Sequence, residues 1–243
     1  MPDAPPDDRL LAWLDAQPPP AARPWVTLTY AQSLDGSLAA PGGERLTLSG
    51  PESLRLTHRL RAWHDSILVG IGTVLTDDPS LSVRLVAGAS PRPIILDSRL
   101  RLPTSARLLK AGARPLILTG EQATLERAQR LRAAGAEVVS IPAGASGGLD
   151  LVHALSTLFQ LGMRRLMVEG GSRVLHSMLC QRLGDCLVVT VAPQLVAGTP
   201  VLGAPPPDGR AWPALIDPRW SQSGQDAILW ARLEGTASWT LAS

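Results

Sequence analysis

Two glycine-bearing turns hold most of the residues in this chain that can do chemistry. In Val168-Glu169-Gly170-Gly171-Ser172 a carboxylate stands where a short apolar run ends, and two glycines stand where an amphipathic stretch begins. The start of a helix presents unpaired N–H groups and a partial positive charge, so a phosphate can sit there if glycines let it approach. By itself a Gly-Gly pair before a helix is more often plain turn chemistry, and Glu169 can be read as a charge opposing a helix dipole. The second turn, Gly70-Ile71-Gly72-Thr73, lies within Asp65–Arg84 and leads through Asp77-Asp78-Pro79 to Arg84. Its glycines allow close approach of backbone to a bound group, Thr73 offers a hydroxyl, and Asp-Asp-Pro punctuates the next turn. The third glycine of G-x-G-x-x-G is missing and no acidic residue closes the unit, so this is not a Rossmann fingerprint. Arg45, Arg61 and Arg84 each read singly as surface charges. Gathered at one sheet edge, three guanidinium forks can hold an anionic substrate. G-x-S-x-G, a Walker loop and H-E-x-x-H are all missing, and the four histidines have no paired ligand spacing, which removes the hydrolase and metalloenzyme readings.

These residues need a scaffold, and the hydrophobic pattern supplies one. Ile67–Val69 reads as a buried strand released at Gly70 into a polar loop, and the runs 25–31, 93–98, 115–120, 137–141, 165–169 and 186–192 are further strands. Helices are expected over 51–63, with Pro51 in the first turn, over 121–134, stopped by Gly135, from the cap Asp150 to Gly162, and over 172–183. Asp35-Gly36 turns the chain after the first strand. A Pro/Gly-rich excursion occupies 193–218, and 227–233 with 237–241 reads as a C-terminal hairpin across Glu234-Gly235-Thr236. Strands alternating with helices and closed by antiparallel strands make an α/β single domain, with a central mixed, mostly parallel sheet flanked by helices. Residues 1–23 form a Pro-rich extension whose patch Leu10–Leu14 makes one helical turn, and the domain occupies 24–243.

Composition narrows the partners. Twenty-three basic and 21 acidic residues leave a formal charge of +2, and no basic block or aromatic-basic interleave marks a nucleic-acid surface. No apolar run reaches the roughly 18 residues that a membrane span needs. The N-terminus is acidic where a signal peptide would be basic, which points to the cytoplasm. Cys180 and Cys186 lack the spacing of a disulfide framework or a zinc site and read as buried thiols.

Val26–Gly36, Asp65–Arg84, Leu96–Ser98 and Val168–Gly171 occur in the order and at the spacings of the riboflavin-pathway pyrimidine reductases, and the chain resembles that family over roughly residues 24 to 242. The family comprises stand-alone archaeal and fungal reductases and the reductase half of the bacterial bifunctional deaminase-reductase. The resemblance implies a dihydrofolate-reductase-like fold, NADPH as cofactor, a phosphorylated pyrimidine as substrate and a homodimer. Position by position, Gln32, Thr47, Thr73, Asp77 and Ser98, with Gly170, Gly171, Ser172, Arg173, Val174 and Leu175, match places that hold NADPH. Arg45, Arg61, Leu81, Arg84 and Glu169 match places that hold the pyrimidine ribose phosphate. The implied reaction moves a hydride to C1′ of the ring-opened ribosylamine and gives a ribitylamine, with Asp77 and Glu169 as polar participants and no metal. Bacterial bifunctional enzymes often carry lysine at Thr29 and tryptophan at Thr47, so here the chain looks more like the fungal and archaeal members. Whether the pyrimidine is already deaminated stays open, and the HxE and PCxxC motifs of the deaminase half are missing from this sequence. Two other readings remain: a reductase of the same fold for another pterin or pyrimidine such as dihydrofolate, and a non-catalytic NADP-binding module.

Overall fold

The computed structural model describes residues 6–44, 46–110, 112–144, 147–206 and 208–235. The strands are β1 (Trp25–Ser33), β2 (Ser37–Ala39), β3 (Ser66–Gly70), β4 (Arg92–Leu96), β5 (Leu116–Gly120), β6 (Glu137–Ile141), β7 (Arg165–Glu169), β8 (Cys186–Ala192), β9 (Thr199–Pro200), β10 (Leu215–Ser223) and β11 (Asp226–Leu233). The helices are α1 (Pro6–Asp15), α2 (Pro51–Trp63), α3 (Ile71–Asp77), α4 (Arg107–Lys110), α5 (Leu125–Ala133), α6 (Leu151–Gln160) and α7 (Ser172–Cys180).

One sheet organises the molecule, in the order β10-β11-β8-β1-β7-β3-β4-β5-β6. From β8 to β6 every neighbour is parallel, while β11 runs antiparallel to β8 and β10 antiparallel to β11. Parallel strands must be covered on both faces, which is why they are so uniformly apolar. Alternate residues serve the two layers. Ile67, Val69, Ile95, Ile117 and Met167 pack with residues of α1, α2 and α5. Val26, Leu68, Ile94, Leu116 and Val168 pack with Leu155 and Leu158 of α6 and Leu175 and Met178 of α7.

The chain runs outward from β1 through β3 to β6, then returns to insert β7 between β1 and β3. That reversal makes a crevice at the carboxyl ends of β3 and β7, where open α/β sheets bind ligands. Asp65 keeps the two strands level, because its Oδ2 accepts from the N–H groups of Arg164 at 2.8 Å and Arg165 at 2.9 Å.

Helix boundaries follow local chemistry. Asp150 caps α6 by accepting from His153 N–H, and Thr124 caps α5 by accepting from Arg127 N–H. Helix α2 begins at Pro51 without a cap of its own. The Asp226 carboxylate of the β10–β11 hairpin takes that place, accepting from Gly50 N–H at 2.8 Å and from the Ser53 hydroxyl. The patch at Leu10–Leu14 extends into the ten-residue α1, which buries Leu10 and Leu14. Asp8 of α1 pairs with Arg59 of α2 at 2.5 Å, and Asp15 accepts from the Trp63 indole at 2.7 Å.

Three expectations change. Gly70 releases β3 into helix α3 rather than into a loop, since Ile71 and Val74 are buried one turn apart and Asp78, at φ 39°, ends the turn. Helix α5 starts at Leu125, and residues 121–124 line a cleft instead. The C-terminal hairpin pairs 215–223 with 226–233 and closes at Gly224, so the Pro/Gly-rich excursion ends before Leu215. Residues 237–241 lie outside the described residues. Pro218 hid β10 in the sequence. A break in register between Ile216 and Arg219 accommodates it on an edge strand, where a missing N–H costs little.

Candidate active site

Building the site begins with the two glycine turns, which the fold sets side by side. A Cβ on Gly70 would lie 2.9 Å from Val174 Cγ2, and one on Gly171 would lie 3.1 Å from Thr73 Oγ1. Each turn therefore receives a side chain from the helix that follows the other. The starts of α3 and α7 approach so closely that a Cβ at either glycine would crowd the side chain opposite. Gly170 and Gly171 have φ of 82° and 77°, a conformation that other residues reach only with strain. Among the described residues no side chain caps α7, and Ser172 and Val174 are half-buried at its first turn while Arg173 is exposed. The α7 start with the Thr73 hydroxyl beside it is a cradle for an anionic group.

Glu169 closes β7 at the rim of this cradle, gripped by Arg61 from α2. Arg61 Nε donates to Glu169 Oε2 at 2.8 Å, and its Nη2 donates to Oε1. Nη1 donates to Ser82 O at 3.1 Å. The two side chains are 9% and 24% exposed, so the fork works in a partly dry setting where charge-assisted bonds are strong. The arginine trio expected from sequence is thus divided. Arg61 is committed to Glu169 and Ser82, Arg84 is exposed with one guanidinium contact among the described residues, to Ser80 Oγ at 3.2 Å, and Arg45 lies outside the described residues.

The other sequence-assigned residues fall along the same sheet edge. Asp77, half-buried at the end of α3, makes no hydrogen bond or ion pair within the described residues, so its carboxylate is available. Gln32 is half-buried near the end of β1, paired in register with Val191. Thr47 is exposed, and its carbonyl accepts from Gln194 Nε2 at 3.4 Å. The Leu81 side chain is buried in the core at φ 53°, so what this residue presents at the site is backbone. Ser98 lines a cavity of about 490 Å³ beyond β4 and β5, with Arg99, Gly120, Thr124, Arg127 and Leu149 among the other walls. Leu175 is buried in the core below the α7 start.

Sequence reading missed Arg99, Arg127 and Gly120. A glycine ending a strand was a usable signal for Gly120, but nothing local marks Arg127. His58 was missed as well. It is fully buried on α2, and its Nδ1 accepts from Arg84 N–H at 3.0 Å. Burial, with help from the Arg61 and Arg84 charges, lowers its pKa to about 4, so the ring is neutral at pH 7. Burial favours the protonated form of both thiols: Cys186 is fully buried and pushed up to about 12, and Cys180, half-buried rather than buried as expected, is raised as well.

The geometry sets an anion cradle beside a fixed carboxylate, with the Arg84 segment held against α2 nearby, and comparisons with known proteins identify the family of the chain. A family model, the RibD C-terminal domain, matches residues 24–229. A 2,5-diamino-6-ribosylamino-4(3H)-pyrimidinone 5′-phosphate reductase from Debaryomyces hansenii is 38% identical, over 88% of this chain and 92% of that protein. One of the same name from Methanothermobacter thermautotrophicus is 38% identical, over 90% and 94%. Among solved structures, the Saccharomyces riboflavin biosynthesis reductase Rib7 superposes with a TM-score of 0.76 at 28% identity, covering 93% of this chain and 98% of that one. The expected α/β reductase fold is therefore the observed one, and the chain belongs to the RibD C-terminal domain family.

Proposed function

We propose that this protein is an NADPH-dependent reductase that adds a hydride to C1′ of a diamino-ribosylamino-pyrimidine 5′-phosphate and yields the ribitylamino product. The observation that carries the reading is the meeting of the cofactor-side turn, Thr73 with Gly170-Gly171, and the substrate-side fork, Arg61 with Glu169, at adjacent strand ends. The names of the relatives support the diamino form of the pyrimidine, and Thr29 and Thr47, where bifunctional enzymes often carry lysine and tryptophan, agree with it.

The residues fit the cofactor. The uncapped α7 start and Thr73 suit the pyrophosphate, and the Ser98 cavity suits the adenosine end. Arg99 and Arg127 there offer the charge that a 2′-phosphate requires and a 2′-hydroxyl does not, which supports NADPH over NADH. The nicotinamide, when bound, supplies the hydride. Everything else asked of the chain is positioning and charge. Arg61 holds Glu169 in one orientation and leaves part of the carboxylate's acceptor capacity for the amino edge of the pyrimidine. Among the described residues the Arg84 guanidinium meets only Ser80 Oγ, which leaves donors for the 5′-phosphate. Asp77 orients the nicotinamide or the sugar hydroxyls. No covalent nucleophile is needed, because the rate comes from holding two reactants in near-attack geometry.

Absorbance at the nicotinamide band, with purified protein, NADPH and the diamino and deaminated substrates in parallel cuvettes, tests the proposal. The signal should decline with the diamino compound; a flat trace with both substrates would end it.

The same reading includes a homodimer. Strand β10 ends the sheet, and among the described residues nothing pairs with its outer edge, although it exposes Leu215, Ile216 and Trp220, the last at 61%. A bare apolar edge is a template for a second copy. Light scattering should report a dimer that Trp220→Lys weakens; a monomer at all concentrations refutes this part.

A further inference from the structure

The segment from Pro79 to Ser90, which carries Leu81 and Arg84, has no helix or strand of its own. It is held against one stripe of α2. His58 Nδ1 accepts from Arg84 N–H at 3.0 Å, and Arg61 Nη1 donates to Ser82 O at 3.1 Å. Gly88, at φ 142°, lies so close that a Cβ there would stand 2.6 Å from Ala62 Cβ. Positions 58, 61 and 62 stand three and four residues apart, the spacing that puts side chains on one helix face. The loop adds bonds of its own, from Val83 N–H to Ser90 Oγ at 3.0 Å and from Ser82 Oγ to Ser80 Oγ at 3.1 Å. Among the described residues the His58 bond is the one that seizes the backbone of Arg84, whose guanidinium has a single contact there, to Ser80 Oγ.

The chemistry of His58 makes that bond its reason to be there. A backbone N–H only donates, so Nδ1 must be unprotonated and the ring proton must lie on Nε2. Nε2 is buried and has no hydrogen-bond partner among the described residues. A leucine would fill a similar volume without an orphan donor, and an unpaired buried donor is a cost with no packing return. What histidine adds over leucine is one acceptor, aimed at Arg84.

We propose that His58 is a positioning residue for substrate phosphate: its Nδ1 fixes the Arg84 backbone, so that the Arg84 guanidinium meets a phosphate already aligned. The inference rests on the reductase reading above and deepens it, since His58 touches neither reactant. It identifies a specificity device for phosphorylated over unphosphorylated pyrimidine ribosides that is built on helix α2 rather than on the loop.

Steady-state kinetics of His58→Leu, His58→Gln and His58→Asn, each with the 5′-phosphorylated substrate and its dephosphorylated form, test it. Asn carries an acceptor near the place of Nδ1, whereas Gln carries its amide one methylene further, near Nε2. KM for the phosphorylated substrate should rise about tenfold in the Leu and Gln variants and return to within about threefold of wild type in Asn, which corresponds to one lost hydrogen bond. KM for the dephosphorylated form and the affinity for NADPH should stay within about twofold throughout. Wild-type KM in both Leu and Gln, or equal losses with both substrates, overturns the proposal, and should Leu fail to fold, the Gln and Asn pair decides it. Amide hydrogen exchange at Arg84 gives a readout that needs no turnover: slow in wild type and Asn, fast in Leu and Gln. If wild type reduces no pyrimidine, the reductase reading is what has failed. Slow exchange at Arg84 in all variants instead rejects the His58 bond.

Discussion

Glu169→Gln is the most informative single change, because the structure assigns its consequences to two separable quantities. Glutamine keeps the shape of the side chain and one acceptor oxygen but loses the charge that the Arg61 fork meets with Nε and Nη2. Fully exposed ion pairs are worth about 0 to 1 kcal/mol, while breaking a buried one costs about 3 to 5 kcal/mol. With side chains 9% and 24% exposed, this pair lies between those limits, and about 2 to 3 kcal/mol is expected. For a chain of this size that is a fall in Tm of roughly 4 to 12 °C. Arg61→Gln should cost a similar amount and also release Ser82 O. Once one partner has gone the other has less to lose, so the double variant should be more stable than the sum of the singles by about 2 kcal/mol. Chemical denaturation of wild type, both singles and the double closes the cycle. In kinetics, Glu169→Gln should raise substrate KM at least tenfold and lower turnover while NADPH affinity stays within about twofold, the mark of a lost substrate contact. Additivity within about 0.5 kcal/mol would refute the fork as a structural fact. Unchanged KM and turnover would refute Glu169 as a site residue.

Other changes separate the two sides of the crevice. Asp77 has no partner among the described residues, so Asp77→Ala should leave stability within about 0.5 kcal/mol while weakening NADPH binding, measured by fluorescence titration. Arg84→Ala should raise substrate KM and leave cofactor affinity nearly alone. Arg127→Gln in the Ser98 cavity should lower the preference for NADPH over NADH, and an unchanged ratio of kcat/KM would remove Arg127 from cofactor choice. Stability should also depend on pH through His64. Its Nδ1 lies 2.7 Å from Leu60 O and must carry the proton, while Nε2, 2.8 Å from Thr27 Oγ1, accepts from that hydroxyl. Burial lowers its pKa to about 4, so the unfolded chain takes up a proton near pH 6.5 that the folded chain refuses. Its contribution is complete above pH 6.5 and declines as pH falls toward 4. Between pH 7 and pH 5 the loss from His64 is about 2 kcal/mol, which His64→Asn should abolish in denaturation at the two pH values.

Local chemistry in the sequence determined much of this protein. The apolar runs that became β3, β7 and β8, the Pro51 start of α2, the Asp150 cap of α6 and the Gly170-Gly171 turn were all legible, because their causes lie within a few residues of one another. The family resemblance marked Arg61, Arg84 and Glu169 together without saying how they relate. Other features depended on residues far apart in the chain. That Arg61 forks onto Glu169, 108 residues away, follows from β7 returning to lie beside β3, below α2. That Asp226 caps α2 follows from the hairpin folding against it, and that Pro218 sits in a strand follows from that strand being an edge. Helix α3 reads as a loop in sequence because Gly72 and two threonines argue against a helix locally, and burial of Ile71 and Val74 outweighs them. His58 is the plainest case. In sequence it is one histidine among basic residues on an amphipathic helix. Only the loop packed over it, with the Arg84 N–H at its Nδ1, gives that ring a task, because a hydrogen bond is a relation between two positions and has no signature at either one alone.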